Sequence, residues 1–303
     1  MHRPPPTRWL PALIGAFLGA VVACGGSSPP TRSGGVVRDD FGDSVVVDAV
    51  HRPARIVSLN PTTTEILFAI GAGDRVVGRS TYDVFPSAAR GVTDVGAAIR
   101  PNIEAVLAVH PDLVVLYASS DNRPAAQRFQ QAGVRTLAFK IDSIAQFERD
   151  TRLLGRLTGD SAAAYTLVDS VAATLARVRA ATKDLPRPSV FIPTWNRPLI
   201  AIGGGSFLSQ LLDIAGARNI YEDIAAPSAV VTIEDVAKRN PDFVMTNPAA
   251  APSLDSNPKW RALPAIRQKH ILVFDTMLVG RPSVTLGAGA RSLADLLHPG
   301  AVR

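Results

Sequence analysis

Few residues of this chain have the types and spacing of a catalytic or metal centre. The sequence contains one cysteine, Cys24, which excludes intramolecular disulfides and multi-cysteine metal sites. The histidines are scattered, with no pair at the spacing of metal ligands. A G-x-S-x-G nucleophile elbow is absent as well. The sequence therefore predicts neither a metal site nor a catalytic residue.

A glycine-rich stretch, Gly203-Gly-Gly-Ser206, stands between an apolar run and a helical pattern, where phosphate-binding loops also occur. It lacks the lysine and the spacing of G-x-x-x-x-G-K-[ST], which excludes a nucleoside triphosphate site. We interpret it as a tight turn from a strand into a helix.

Two acidic residues, Glu104 and Glu234, occupy matching positions in an internal repeat. Residues 101–117 and 231–247 match at a constant offset of 130, and each segment predicts a short capped helix, a Pro-Asp turn and a buried strand. A carboxylate near a helix N-terminus complements the helix dipole, which is a sufficient local reason for either acid. Residues 64–71 and 209–216 match in the same way. The repeats predict two similar lobes rather than a solenoid, whose periods are about 20–50 residues.

The elements that position these residues alternate between strands and helices, which is typical of an α/β fold with parallel pairing. An alanine-rich stretch after Asp160 has apolar residues on one helical face, and about 22 residues at 1.5 Å each give a helix of about 33 Å. The expected domains are an N-terminal lobe at 36–159, a backbone helix at 160–184 and a C-terminal lobe at 185–303.

The N-terminus has the pattern of an export signal. Residues 1–9 contain two arginines and no acid, and the uncharged apolar run after them is shorter than the about 20 residues that span a bilayer. The run ends V-V-A-C, which resembles the bacterial lipoprotein signal, in which the cysteine, here Cys24, receives lipid. An ordinary signal peptide with an incidental cysteine is the alternative. We expect a signal peptide at 1–23, a flexible tether at 24–35, and export to the periplasm or cell surface on a lipid anchor.

The composition excludes two further classes. With 47% hydrophobic and 19% charged residues the chain can bury a sizeable core and is not a disordered protein. The formal net charge is +6, but no basic run or aromatic-basic pattern accompanies it, so no nucleic-acid partner is expected.

Three segments, taken in order, resemble class III substrate-binding proteins of ABC importers, the group of cobalamin, haem and ferric-siderophore receptors. The segments are RIVSLNPTTTEILFAIGAGDRVVG, VGAAIRPNIEAVLAVHPDLVV and FIPTWNRPLIAIGGGSFLSQLLDIAGARNIYED. The resemblance covers about residues 36–298 and is strongest to cobalamin-binding members. It implies two Rossmann-like lobes with parallel sheets, joined by a single long backbone helix, with the ligand in the cleft between them.

The resemblance also implies partners and site residues. The chain would be a monomeric receptor, not an enzyme, that delivers a large cofactor-like cargo to an ABC permease dimer with its ATPase and keeps no cofactor itself. Glu104 and Glu234 would dock arginines of the permease, one from each lobe. A planar ligand is held by flat apolar surfaces with few polar anchors. The residues expected to contact the ligand are Tyr82, Phe85, Tyr117, Trp195, Asp275 and Arg281.

Two departures from the cobalamin-binding members leave the ligand open. Ala97-Ala98 and Val230 stand where those members often carry aromatic residues. The cleft is then roomier or suited to another ligand, and haem or a ferric siderophore is the alternative within the class. A two-lobed α/β enzyme or sensor is the alternative from another class. The aromatic residues named above could also simply cover edges of the core.

Overall fold

The computed structural model describes residues 1–2, 35–47, 51–256 and 258–302. A hairpin precedes the first lobe: β1 (Gly35–Arg38) pairs antiparallel with β2 (Ser44–Val47). Val45 and Val47 alternate with exposed residues and turn inward, so the hairpin packs one apolar face on the body of the protein.

The N-terminal lobe is built on four parallel strands in the order β4-β3-β5-β6. All four residues of β3 are buried, as expected for a parallel strand covered by helices on both faces. The elements of this lobe are β3 (Ile56–Leu59), α1 (Pro61–Ala69), β4 (Val76–Arg79), α2 (Ile103–Ala108), β5 (Leu113–Tyr117), α3 (Arg123–Gln131), β6 (Arg135–Phe139) and α4 (Ile144–Thr158).

A single long helix, α5 (Ser161–Thr182), leads to the second half of the chain. The apolar face read from the sequence is buried, namely Ala164, Val168, Val171, Leu175 and Val178. Asp160 stands at the N-cap position, but its side chain makes no capping hydrogen bond and instead pairs with Arg75. A charged partner from the N-terminal lobe therefore takes up the Asp160 carboxylate in place of the N-terminus of α5.

The C-terminal lobe repeats the parallel sheet and adds a second sheet. Its parallel strands follow the order β10-β7-β12-β13, and three further strands form an antiparallel sheet in the order β11-β9-β8. The elements are β7 (Ser189–Phe191), β8 (Pro193–Asn196), β9 (Leu199–Ile202), α6 (Phe207–Ile214), β10 (Arg218–Asn219), β11 (Ser228–Val230), α7 (Ile233–Arg239), β12 (Phe243–Thr246), α8 (Ala251–Ser256), α9 (Pro264–Arg267), β13 (Ile271–Val273), α10 (Thr276–Val279) and α11 (Leu286–Leu297).

The two parallel sheets share one strand order. If the strands of each sheet are counted along the chain, both read second, first, third, fourth. This confirms the predicted fold of two α/β lobes with parallel sheets. The three-stranded antiparallel sheet is specific to the C-terminal lobe; the antiparallel sheet of the N-terminal lobe has two strands, β1 and β2, and precedes the parallel strands.

The repeat at an offset of 130 is preserved in hydrogen-bonding detail. His110 and Asn240 both adopt a left-handed backbone, with φ of 48° and 44°, directly before the Pro-Asp turn. Asp112 then accepts hydrogen bonds from the backbone of Ala54 and Arg55 at the start of β3. Asp242 accepts in the same way from the backbone N–H and the hydroxyl of Ser189, the first residue of β7. Each aspartate therefore fixes its own strand beside the neighbouring parallel strand.

A layer of helices between the two sheets unites the lobes. One hydrophobic core includes Leu67 on α1, Val171 on α5, Leu211 on α6 and Leu293 on α11. The outer face of each sheet has a smaller core of its own, one within the N-terminal lobe and one within the C-terminal lobe. Residues Ser33–Arg303 accordingly form one compact unit.

Candidate functional site

The carboxyl ends of strands from both parallel sheets meet at a cavity of about 570 Å³ between the lobes. Ligands of open parallel sheets bind at such strand ends. The wall from the N-terminal lobe consists of Asn60, Pro61, Thr62, Tyr117, Ile141 and Asp142. The wall from the C-terminal lobe consists of Thr194, Ile202, Ser206, Phe207, Pro227, Ser228 and residues 280–282.

Tyr117, one of the residues expected to contact ligand, lies on this wall as the last residue of β5. Its hydroxyl donates to Oδ1 of Asp142 at 2.8 Å. Burial and the adjacent Asp142 carboxylate raise the pKa of the Tyr117 phenol. The phenol therefore stays neutral at physiological pH and presents its ring and oxygen to the cavity as a fixed group.

Arg281 also lies on the cavity wall, and its guanidinium is paired with Glu65 of the opposite lobe. Nε of Arg281 donates to Oε1 of Glu65 at 2.7 Å, and Nη2 donates to the same oxygen. Only 1% of the Glu65 side chain and 25% of the Arg281 side chain are exposed. The cavity thus presents an arginine that the opposite lobe holds in place.

A second buried carboxylate, Asp83, lies close to this pair. Asp83 accepts hydrogen bonds from the hydroxyls of Thr64 and Ser80, at 2.7 and 2.8 Å. Burial raises the pKa of both the Asp83 and the Glu65 carboxyls, and their mutual repulsion adds to the effect on Glu65. The N-terminal lobe therefore places a polar, acidic cluster directly behind its side of the cleft.

Trp195 lines an adjoining cavity of about 530 Å³ that lies within the C-terminal lobe. It lies on β8 of the antiparallel sheet. Its side chain is exposed, and the indole N–H donates to the carbonyl of Arg197 at 3.0 Å. Thr194 lines both cavities, which makes them neighbours along one surface.

Tyr82 and Phe85 follow β4, beside the strand whose end forms the cleft wall. Their side chains are 69% and 36% exposed. Neither residue lines the cavity between the lobes or the adjoining cavity beside Trp195. The loop holds its shape through the buried Asp83 between them, and it leaves both aromatic rings free at the surface.

Asp275 comes two residues after β13 and begins α10. Its Oδ1 accepts a hydrogen bond from the backbone N–H of Met277 at 2.8 Å, which makes Asp275 the N-cap of that helix. The residue is exposed and does not line either cavity. Its carboxylate therefore has a local structural role in the absence of ligand.

Glu104 and Glu234 occupy the first turns of α2 and α7, after the N-caps Asn102 and Thr232. Both side chains belong to exposed residues, and neither residue lines the cavity between the lobes. Among the residues that the structure describes, neither carboxylate has an ion-pair partner. Two accessible negative charges at equivalent positions, one on each lobe, are thus available to an external partner.

Cys24, residues 3–23 of the predicted signal peptide and residues 24–34 of the predicted tether lie outside the described residues. Gly35, the last residue of the predicted tether, is the first residue of β1. None of the helices within the described ranges is long and apolar enough to cross a membrane. The same ranges contain no cluster of histidine, cysteine, aspartate and glutamate that could hold a metal ion.

Glu65, Asp142 and Thr194 belong to the site but are not among the residues expected from the sequence. Glu65 could have been found as the one charged residue in the run from Asn60 to Gly73, because an acid within an apolar helical segment needs a polar partner if it is buried. Asp142 and Thr194 could have been found from the rule that residues just after parallel strands line the ligand cleft.

Comparison with known proteins identifies the family to which this architecture corresponds. Residues 56–277 match the family model described as periplasmic binding protein. An uncharacterised ABC transporter substrate-binding lipoprotein of Bacillus subtilis is 27% identical over 306 residues, which cover 96% of each chain. A cobalamin-binding protein of Halobacterium salinarum is 29% identical over 81% of this chain and 70% of its own. The fold matches a periplasmic haem-binding protein of Roseiflexus with a TM-score of 0.72, at 22% identity over 82% of this chain and 98% of the other.

Proposed function

The chain belongs to the periplasmic binding protein family, and we propose that it is a lipid-anchored receptor that captures cobalamin or a related corrinoid for an ABC importer. As a substrate-binding protein of an ABC transporter, it binds a solute and hands it over unchanged; it is not an enzyme. The observation that carries the proposal is the cavity between the lobes, at the carboxyl ends of both parallel sheets. Cobalamin is favoured as the cargo by the name of the Halobacterium relative and by the sequence resemblance.

The size and lining of the cleft support a large ligand with a flat apolar body. The cavity of about 570 Å³ is within the roughly 300–1,000 Å³ of small-molecule sites. The adjoining cavity beside Trp195 extends it along the C-terminal lobe. In this proposal the Trp195 and Tyr117 rings contact the ligand body, and Arg281 supplies a polar anchor.

Tyr82, Phe85 and Asp275 are also proposed to contact the ligand, but from positions outside the two cavities. All three follow strands of the two parallel sheets, Tyr82 and Phe85 on one lobe and Asp275 on the other. Because they do not line the cavities, they would contact only the parts of a bulky ligand that project beyond the cleft. A small solute would not reach them.

Docking and anchoring complete the proposal. Glu104 and Glu234 would each meet a permease arginine, so that the two lobes sit on a permease dimer with its ATPase. Two like acids at equivalent positions of two similar lobes fit a partner with two-fold symmetry. Cys24 would carry the lipid, with residues 24–35 as the tether and 36–159, 160–184 and 185–303 as N-terminal lobe, backbone helix and C-terminal lobe. The receptor would act as a monomer at the membrane surface.

Haem or a ferric siderophore is the second candidate cargo. Tyr117 favours it, because a phenol on the cleft wall can serve as a ligand of ferric iron. Its hydrogen bond to Asp142 would have to change for the phenolate to bind iron.

A titration followed by visible absorbance distinguishes these cargoes, since cyanocobalamin, haemin and ferric siderophores all absorb visible light. We expect saturable one-to-one binding of cyanocobalamin, and recovery of the unchanged compound after denaturation of the protein. Tight binding of haemin with a phenolate-to-iron band that disappears in Tyr117→Phe would favour the second candidate. Chemical conversion of any bound compound would contradict a receptor function.

A further inference from the structure

The second internal repeat places Glu65 and Gln210 at equivalent positions. Residues 64–71 correspond to residues 209–216, so that Glu65 on α1 and Gln210 on α6 share one position of their helices. In the structure both side chains reach across the boundary between the lobes. Glu65 accepts from Arg281 of the C-terminal lobe, and Gln210 accepts from the backbone N–H of Ile144 in the N-terminal lobe at 3.3 Å.

The two contacts differ in strength because their environments differ. The Glu65 side chain is 1% exposed and binds a guanidinium, whereas the half-buried Gln210 accepts from a neutral backbone N–H. Charge-assisted hydrogen bonds are roughly twice as strong as neutral ones. Removing one partner of a buried ion pair leaves an uncompensated charge, so such a pair strongly resists separation. The Glu65–Arg281 contact is therefore the stronger of the two equivalent contacts.

This contact also sets the position of a cleft residue. Arg281 lies in the segment between α10 and α11 and lines the cavity between the lobes. Both of its hydrogen bonds to Glu65 end on Oε1, and Oε2 is buried without a hydrogen-bond partner among the described residues. Because Glu65 already fixes the Arg281 guanidinium, the side chain loses little further conformational entropy when its remaining N–H groups bind a ligand oxygen. Such preorganisation increases the affinity for the ligand.

We propose that Glu65 is a positioning residue, which ties the two lobes at the cleft and fixes Arg281 on the cavity wall for an acceptor oxygen of the ligand. The tie depends only on the contact between Glu65 and Arg281. The role of Arg281 toward the ligand rests on the proposed function. The two parts can therefore fail independently.

Distances between the lobes test the tie without any ligand. Ala108 on α2 and Lys238 on α7 are exposed and equivalent in the repeat, so spin labels at Ala108→Cys and Lys238→Cys, in the full chain with Cys24→Ser, report the lobe separation. We expect Glu65→Gln to broaden the distance distribution measured by pulsed electron resonance. The matched control is Asp43→Asn, which breaks an arginine–carboxylate pair with Arg123 inside the N-terminal lobe and should leave the distribution unchanged.

Two further variants separate loss of the tie from loss of folding. Arg281→Met breaks the pair from the other lobe, and the double variant Glu65→Gln/Arg281→Met removes both charges and so leaves no unpaired buried ion. Both should fold and broaden the distribution. Distributions that superimpose on that of the parent chain in all three variants would overturn the tie.

Binding of cyanocobalamin tests the positioning role. We expect Glu65→Gln to weaken binding about tenfold, and to have no further effect when Arg281 is already Met, because Glu65 acts through Arg281. Equal effects of Glu65→Gln in both backgrounds would reduce Glu65 to a structural residue. If cyanocobalamin does not bind the parent chain, the proposed cargo fails while the distance measurement still decides the tie.

Discussion

The two lobes have the same scaffold and different surfaces toward the cleft. Both contain a four-stranded parallel sheet in the same order and the same helix, Pro-Asp turn and strand at an offset of 130. The N-terminal lobe holds a buried, hydrogen-bonded polar cluster around Glu65 and Asp83 behind its wall of the cleft. The C-terminal lobe instead adds an antiparallel sheet that carries the exposed Trp195. The repeated parts are the structural framework, and the unrepeated parts are those a single asymmetric ligand would meet.

Glu104 and Glu234 belong to the repeated part, and this distinguishes between a ligand and a protein partner as the group that they would contact. A ligand in the cleft has no need of equivalent groups on the two lobes, whereas a two-fold partner does. Glu65 and Gln210 are an intermediate case, because their position and direction are repeated while their chemistry has diverged. Similarity between the lobes thus decreases from α2 and α7 toward the cleft.

The largest expected effect is the loss of uptake when the charges of both Glu104 and Glu234 are reversed. Glu104→Arg with Glu234→Arg should abolish uptake in cells that lack the native receptor, because like charges placed together in an interface cost several kcal/mol, on the order of a thousandfold in affinity. Binding of cyanocobalamin should be unchanged, since neither residue lines the cavity between the lobes. The single reversals should each be less severe than the double. Uptake that survives the double reversal would leave the two acids as helix starts alone.

Substitution of the glycines that follow α1 and α6 should have the next largest effect, a loss of folding stability. Because the two glycines are equivalent in the repeat, their variants compare the two lobes directly. Gly71 and Gly216 both have a positive φ, near 87° and 82°. A Cβ on Gly71 would meet no atom within 4 Å, whereas one on Gly216 would lie 2.8 Å from Cβ of Thr182 and 2.9 Å from Nε2 of His298.

We expect Gly71→Ala to lower the free energy of unfolding by roughly 1–2 kcal/mol, the cost of a left-handed backbone. Gly216→Ala should lower it by roughly 2–5 kcal/mol, because overpacking adds to that cost. Urea unfolding of both variants measures the difference. Equal losses would show that α5 and the C-terminus move aside without cost.

Much of the scaffold could be predicted because local sequence determines it. Asn102 and Thr232 cap their helices as the pattern indicates, and residues 110 and 240 end them with a left-handed backbone before Pro-Asp. These interactions join residues that are close in sequence, and each of them occurs in both segments of the repeat. The apolar face of α5 was predicted for the same reason, since its period is visible within one segment.

The antiparallel sheet and the pairing across the cleft could not be predicted. Strands β8, β9 and β11 have three or four mostly exposed or half-buried residues each, so they lack the alternation that identifies a strand. Glu65 and Arg281 are 216 positions apart. A sequence pattern can indicate that a buried acid needs a partner, but only the packing of the lobes decides which arginine supplies it.

The two lobes differ in their surfaces toward the cleft, so replacing an exposed aromatic residue on each lobe should change the ligand affinity unequally. Trp195→Ala should weaken cyanocobalamin binding by roughly 1–3 kcal/mol, about fivefold to 150-fold, because it removes stacking area beside a cavity. Tyr82→Ala should have a smaller effect, since Tyr82 is 69% exposed and lines neither the cavity between the lobes nor the adjoining cavity beside Trp195. The melting temperature should hardly change in either variant. A stronger effect of Tyr82→Ala would assign the main aromatic contact to the N-terminal lobe.

Substitution of Asp242, in the repeated framework, should have a small effect on folding stability that depends on pH. Hydrogen bonds from the backbone and hydroxyl of Ser189 hold its pKa below the usual value. The folded state therefore gains stability from the ionised carboxylate above about pH 4, the usual pKa of an aspartate, and loses that gain as the pH falls through the lowered pKa. Asp242→Asn should cost below about 1 kcal/mol at pH 7, since Asp242 is solvent-accessible, and less at pH 3. Urea unfolding at both pH values measures the change.

The smallest expected effect concerns the movement of the lobes on ligand binding. Apolar residues of α1, α5, α6 and α11 share one core, so a large rotation between the lobes would have to open that core and expose its side chains to water. Interfaces packed this closely slide or rotate little, and we expect a change well below the roughly 15° of a large rigid-body rotation. Small-angle scattering of the empty and cyanocobalamin-saturated protein should then give superimposable profiles. Glu65→Gln serves as the comparison, because loss of the tie at the cleft should widen the empty state and make any closure visible. A clear compaction of the parent chain would mean that the two lobes pack as separate bodies, despite the core that joins them in the empty protein.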